Sequence, residues 1–159
     1  MNQLLPSLPR IGSRPMTSLL AIPARFTPLR CQALLVEPVL QHVFAESIED
    51  GELDFLQRDM VEIAITDIGL HWFLTLVDGR IRLVSRGRSA VTVAGGLPEF
   101  LLLASRQEDP DTLFFERRLT VEGDTEVGLL IKNLLDSIEL DALPSPLRRA
   151  VDLSASWVQ

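Results

Sequence analysis

The chain has 159 residues, 47% hydrophobic and 23% charged, with a mean hydropathy of +0.22 and a formal net charge of −7. That length suits one domain with one buried core. No uninterrupted apolar run reaches the ~20 residues that span a bilayer, so the excess apolar surface must fold inward, be covered, or lie against a membrane.

The charge is unevenly placed. Between Met1 and Val36 stand Arg10, Arg14, Arg25 and Arg30 and no acidic residue, so all 22 acidic side chains follow this stretch. An acidic body argues against nucleic-acid binding, which uses a basic face. A short basic arm with apolar residues between its arginines suits an anionic membrane surface instead. Leu19, Leu20, Ile22, Arg25 and Phe26 are the candidate contacts, and a tail with no fixed structure is the competing reading. Met16–Ala24 is apolar, but Thr17, Ser18 and Pro23 interrupt it as a secretory signal. The acid-free start also suggests a mitochondrial presequence, against which stand five prolines, Pro6 to Pro28. Cys31 is the single cysteine, which excludes an internal disulfide and fits a reducing cytoplasm.

From Leu29 to Asp50 the apolar spacing of Leu35, Val39, Val43 and Phe44 predicts a helix, kinked or restarted at Pro38 and closed by Gly51. A short strand around Glu52–Leu56 is expected next. The period then changes to two. Val61, Ile63 and Ile65 form one alternating run, and Trp72, Leu74 and Leu76 a second. Ile81 with Leu83, then Val91 with Val93, continue the rule. Asp78-Gly79 is a hairpin signal and Ile68-Gly69 a second turn, so an antiparallel meander is expected. After Gly95-Gly96, Pro98 opens a helix to about Gln107. Asp109-Pro110-Asp111 reads as a turn into Thr112–Phe115, and Arg118–Glu122 as a short strand ended by Gly123. A helix follows from Asp124 to Leu140, and Pro144 and Pro146 start a last one in which Leu147, Val151 and Val158 share a face. The fold class is α+β: a five-stranded antiparallel or mixed sheet with helices on one face.

The helix after Asp124 carries Val127, Leu130, Ile131, Leu134, Leu135 and Ile138 at spacings of three and four. Ordinary core explains such a stripe, but it is wider than one sheet contact needs. The sharper reading is an apolar cavity walled by this helix. Leu101, Leu102, Leu103, Phe114 and Phe115 supply further walls, and Trp72 and Leu74 the floor.

Chemistry is thinly provided. His42 and His71 are the only histidines, tyrosine is absent, and no nucleophile-elbow, HxxxH or CxxC pattern occurs. Asp109, Asp111, Glu122 and Asp124 read as turn and capping residues rather than metal ligands. Gly95-Gly96 lacks the remainder of a phosphate loop. No catalytic residue, metal or cofactor is expected, and the chain reads as non-enzymatic.

Phe114 to Asp124, followed by Gly128-Leu129 and an apolar helix, resembles the signature of the sterol carrier protein type-2 family. The resemblance implies a lipid-binding domain over 29–159, after an arm at 1–28. Gln107–Glu126, with Gly51-Glu52-Leu53 and Trp72-Phe73, is similar to one bacterial branch, accessory factors of oxygen-independent ubiquinone biosynthesis. It implies isoprenoid quinone precursors or phospholipid as ligand, and ubiquinone-biosynthesis enzymes, including hydroxylating ones, as partners. Cytoplasmic placement, peripheral at the inner membrane, goes with it. Arg117 stands where many sterol carriers have glycine, which counts against a sterol. The terminal Trp157-Val158-Gln159 is not the family's peroxisomal signal. A partner-docking protein and an enzyme on a quinone precursor are the competing functions.

Overall fold

The computed structural model describes residues 26–137, together with Ser145, Arg148, Arg149 and Leu153. The expected contacts Leu19, Leu20, Ile22 and Arg25, the wall residue Ile138 and the final helix expected after Pro144 fall outside the described residues, except for those four positions.

Helix α1 (Leu29–Val43) and the short α2 (Ala45–Glu49) come first. The helix runs on through Pro38 without restarting there. Proline removes one hydrogen bond to the carbonyl four residues back, here that of Leu34, and Leu34 lies on an exposed face where water can serve that oxygen. The chain turns instead at Phe44, whose φ of −102° and ψ of 17° are not helical. Gly51 then takes the left-handed conformation (φ 75°) and closes α2, as the sequence predicts. The strand expected at Glu52–Leu56 is absent. Asp54–Gln57 form a 3-10 helix, and Leu53 and Leu56, three apart, are both buried beneath it.

The strands are β1 (Met60–Ile65), β2 (Leu70–Val77), β3 (Arg80–Val84), β4 (Ser89–Gly95) and β5 (Leu119–Gly123). Asp78 and Gly79 both have positive φ (50° and 71°), the geometry a two-residue hairpin needs. The meander ends at β3. Residues 85–88 cross over, and β4 pairs parallel with β1, giving the mixed order β3-β2-β1-β4-β5. Gly87 passes so near β1 that a Cβ there would lie 2.2 Å from the Met60 sulfur.

β4 avoids β3 because that edge is already occupied. Glu37 and Gln41, four apart on α1, accept from the backbone N–H groups of Leu83 (2.8 Å) and Ile81 (2.9 Å). Glu37 also accepts from Arg82, and the Gln41 amide donates to the Gly79 carbonyl. Helix side chains thus satisfy the edge-strand donors that would otherwise invite another strand.

Helix α3 (Leu97–Ala104) follows β4. Asp109-Pro110-Asp111 is not a free turn: it is the cap and first turn of helix α4 (Pro110–Phe115), with the Asp109 carboxylate accepting from the Thr112 N–H. After β5, Asp124 caps helix α5 (Thr125–Ser137) by accepting from the Val127 N–H at 3.0 Å. Gly123 (φ 125°) joins the two elements, and a Cβ there would stand 2.2 Å from the Ala90 carbonyl oxygen.

One face of the sheet, with Val61, Trp72, Leu74, Ile81 and Val93, lies under α1, α3 and α5. The other carries polar groups, including Glu62, which accepts from Thr92 (2.9 Å) and pairs with His71 (2.7 Å). A separate small core joins Leu103, Leu113 and Leu119. Beside it Arg118 meets Glu108, Glu116 and Glu99 at 2.7, 3.4 and 3.5 Å. Partial burial lowers the Arg118 pKa, but the three carboxylates outweigh that and hold it above the ordinary arginine value.

Candidate functional site

Between the helices and the sheet lies a cavity of about 310 Å³, within the ~300–1,000 Å³ range of small-molecule sites. The sheet supplies its floor with Val61, Ile63, Trp72, Leu74, Ile81 and Val93. Val39, Leu40 and Val43 of α1, with Phe44 after it, form one wall. Phe100, Leu103 and Ala104 of α3 and Ile131, Leu134 and Leu135 of α5 form the other. Leu53, just before the 3-10 segment, and Leu56 within it complete the lining.

Every lining side chain is apolar. The one with a polar handle, Trp72, donates its indole N–H to the Gln32 amide oxygen at 2.7 Å. Among the described residues no buried side-chain polar atom lacks a partner. The space therefore offers a guest hydrocarbon contact and no hydrogen bond, and an apolar void of this kind does not hold water well. Among the described residues there is also no His, Cys, Asp and Glu grouping able to hold a metal ion.

Of the residues expected from sequence, Trp72, Leu74, Leu103, Ile131, Leu134 and Leu135 stand on the cavity wall. Six do not. Leu101 is half-buried outside it, and Leu102 is buried away from it. Val127 packs into the main core against the sheet. Leu130 is exposed on α5, at 42%. Phe114 packs on the small core, with the Lys132 ammonium 5.0 Å from its ring centre, and Phe115 is 91% exposed.

Two physical reasons account for the misplacement. Phe100 to Leu103 are consecutive apolar residues, so the sequence gives α3 no phase, and the structure turns Phe100, Leu103 and Ala104 inward. Phe114 and Phe115 are adjacent on the short helix α4 and point about 100° apart, so Phe114 packs on the small core while Phe115 faces out. Sequence reasoning missed the α1 wall, and with it Leu53, Leu56, Val61, Ile63, Ile81, Val93, Phe100 and Ala104. Val39 and Val43 are visible as a helical stripe, but nothing in the sequence alone set that stripe over a cavity.

The chain belongs to the SCP-2 sterol transfer family, which it matches over residues 38–136. The mixed five-stranded sheet with its helices is the fold of that family. The chain is 40% identical over 142 residues to the ubiquinone biosynthesis accessory factor UbiT of Escherichia coli K12, covering 89% of this chain and 82% of UbiT. UbiT of Escherichia coli O157:H7 matches to the same extent. Among solved structures, that described as the UbiJ-SCP2 ubiquinone synthesis protein is similar with a TM-score of 0.51, covering 79% of this chain and 100% of that one, at 16% identity.

Proposed function

We propose that this domain is a non-catalytic accessory factor of ubiquinone biosynthesis that holds the hydrocarbon part of an isoprenoid quinone precursor, or of a phospholipid, in its cavity and presents it to pathway enzymes. The observation that carries the lipid part is the wholly apolar lining of a cavity large enough for a guest. What carries the pathway part is the 40% identity to UbiT across most of both chains.

The mechanism is passive. Each methylene moved from water to the cavity contributes about 0.8 kcal/mol, so a tail segment of about ten methylenes supplies several kcal/mol after ordering costs. With no polar partner inside, the ring or head group stays at the cavity mouth, where a partner enzyme, hydroxylases included, reaches it. The described residues hold no helix long and apolar enough to cross a membrane. The basic arm at 1–28 brings the domain to the cytoplasmic membrane surface peripherally.

Complementation tests this reading. Expressed in an Escherichia coli K12 strain lacking UbiT, the chain restores ubiquinone during growth without oxygen. Stable expression with no restored ubiquinone contradicts the pathway assignment.

A further inference from the structure

The two edges of the sheet are finished differently. At β3, Gln41 and Glu37 of α1 take the outward N–H groups of Ile81 and Leu83. The opposite edge is β5, and among the described residues no side chain caps it in that way. The ladder shows which groups are left over. The Asp124 N–H donates to the Ala90 carbonyl at 2.9 Å, one residue beyond the Val91–Gly123 pair. Bonded pairs alternate along an antiparallel ladder, so Thr92–Glu122 and Ala94–Thr120 are the next ones. The Gly95 carbonyl fixes the same parity, since it turns the other way and accepts from Thr66. The N–H and C=O of Val121 therefore point away from β4, and no described group meets them. An edge of this kind is a template for another strand.

We propose that β5 pairs antiparallel with β5 of a second copy of this chain, centred on Val121. The strand's own sequence selects that occupant. Centred there, Val121 exchanges both of its free backbone bonds with the partner's Val121. Thr120 then faces the partner's Glu122, a hydroxyl beside a carboxylate, and Arg118 faces the partner's Asp124. This register also pairs all five residues of β5 with one another. Centring on Glu122 instead would set two carboxylates face to face.

The flanks fit the same arrangement. Between β5 and α5 lies an open recess of about 240 Å³, bordered by Val121, Gly123, Gly128, Leu129 and Lys132 among others. Leu129 is 60% exposed there. Phe115, 91% exposed, ends α4 four residues before Leu119. Leu119 faces the partner's Gly123, so Phe115 is carried toward the partner's recess. Apolar side chains that each single copy leaves in water are thereby covered together. The contact is isologous, closes at two copies, and brings the helices of both to one side of a joined sheet. It stands apart from the lipid-binding reading.

Sedimentation equilibrium of the 159-residue chain across the micromolar range is expected to show monomer and dimer and nothing larger. Thr120→Glu opposes like charges in both symmetric pairs, and the dimer dissociation constant is expected to rise at least about tenfold. Adding Glu122→Lys to that variant restores opposite charges across the contact, and dimerisation with them. Phe115→Ala, at a position in water, weakens the dimer while leaving the melting temperature of the monomer unchanged. Amide exchange read by NMR locates the contact in the parent chain and needs no variant. The Val121 N–H is expected to be protected at high concentration and to exchange freely on dilution, while those of Thr120 and Glu122 stay protected throughout. A chain that stays monomeric at the top of the range overturns the proposal. So does a dimer in which the Val121 N–H exchanges freely, or one that neither Thr120→Glu nor Phe115→Ala weakens.

Discussion

Replacing Ile63 with tryptophan is expected to abolish ligand retention while leaving the fold intact. Ile63 sits on the central strand β1, beside Trp72 across the β1–β2 ladder, and its side chain forms part of the cavity floor. A larger side chain ordinarily strains a packed interior, but here it grows into about 310 Å³ of space with apolar walls. An indole there displaces several methylenes of a guest, each contributing about 0.8 kcal/mol, so affinity falls by about a hundredfold. Titration with a fluorescent fatty acid reads the affinity, and thermal denaturation reads the fold. A variant that binds as the parent does would place the guest somewhere other than this cavity.

The converse change is Leu113→Ala. Leu113 is completely buried between Leu103 and Leu119, in the small core under α4, and is not part of the cavity wall. Truncating such a leucine removes its transfer free energy and leaves a void that the neighbours fill only partly, a loss of about 2–5 kcal/mol. For a domain of this size the melting temperature falls by roughly 10 °C. Ligand affinity of the folded fraction stays unchanged. Chemical denaturation gives the first quantity and fatty-acid titration the second. A stable variant with weakened binding would mean that the two cores are not energetically separate.

Those two substitutions divide the apolar residues into a guest-binding set and a structural set, a division the sequence does not contain. Alternation made β1 to β4 legible. The Asp78-Gly79 turn was readable because both of its residues need positive φ, and Gly51 and Gly123 marked ends that only glycine reaches easily. The crossover of residues 85–88 was not legible. A meander and a crossover leave the same alternation in each strand, and what decides between them is the capping of the β3 edge by Glu37 and Gln41 across some 40 residues of chain. The 3-10 segment at Asp54–Gln57 was hidden because four residues are too few to show a period.

The site was legible where a helix alternates cleanly. Ile131, Leu134 and Leu135 follow from spacing on α5, but the same spacing also selects Val127, which the structure places in the core against the sheet. Periodicity gives the inward face of a helix, not whether that face meets atoms or space. That α1 shows apolar residues on two faces was visible as composition only. Its meaning depends on where Gln32, Glu37 and Gln41 find their partners.

The most direct measurement of the central claim is mass spectrometry of organic extracts from the purified 159-residue chain, beside an equal amount of the Ile63→Trp variant. The cavity reading predicts about one amphiphile per chain, a polyprenyl quinone precursor or a phospholipid, present in the parent and lost from the variant. A folded parent that yields no lipid, and takes up none from vesicles, would contradict it.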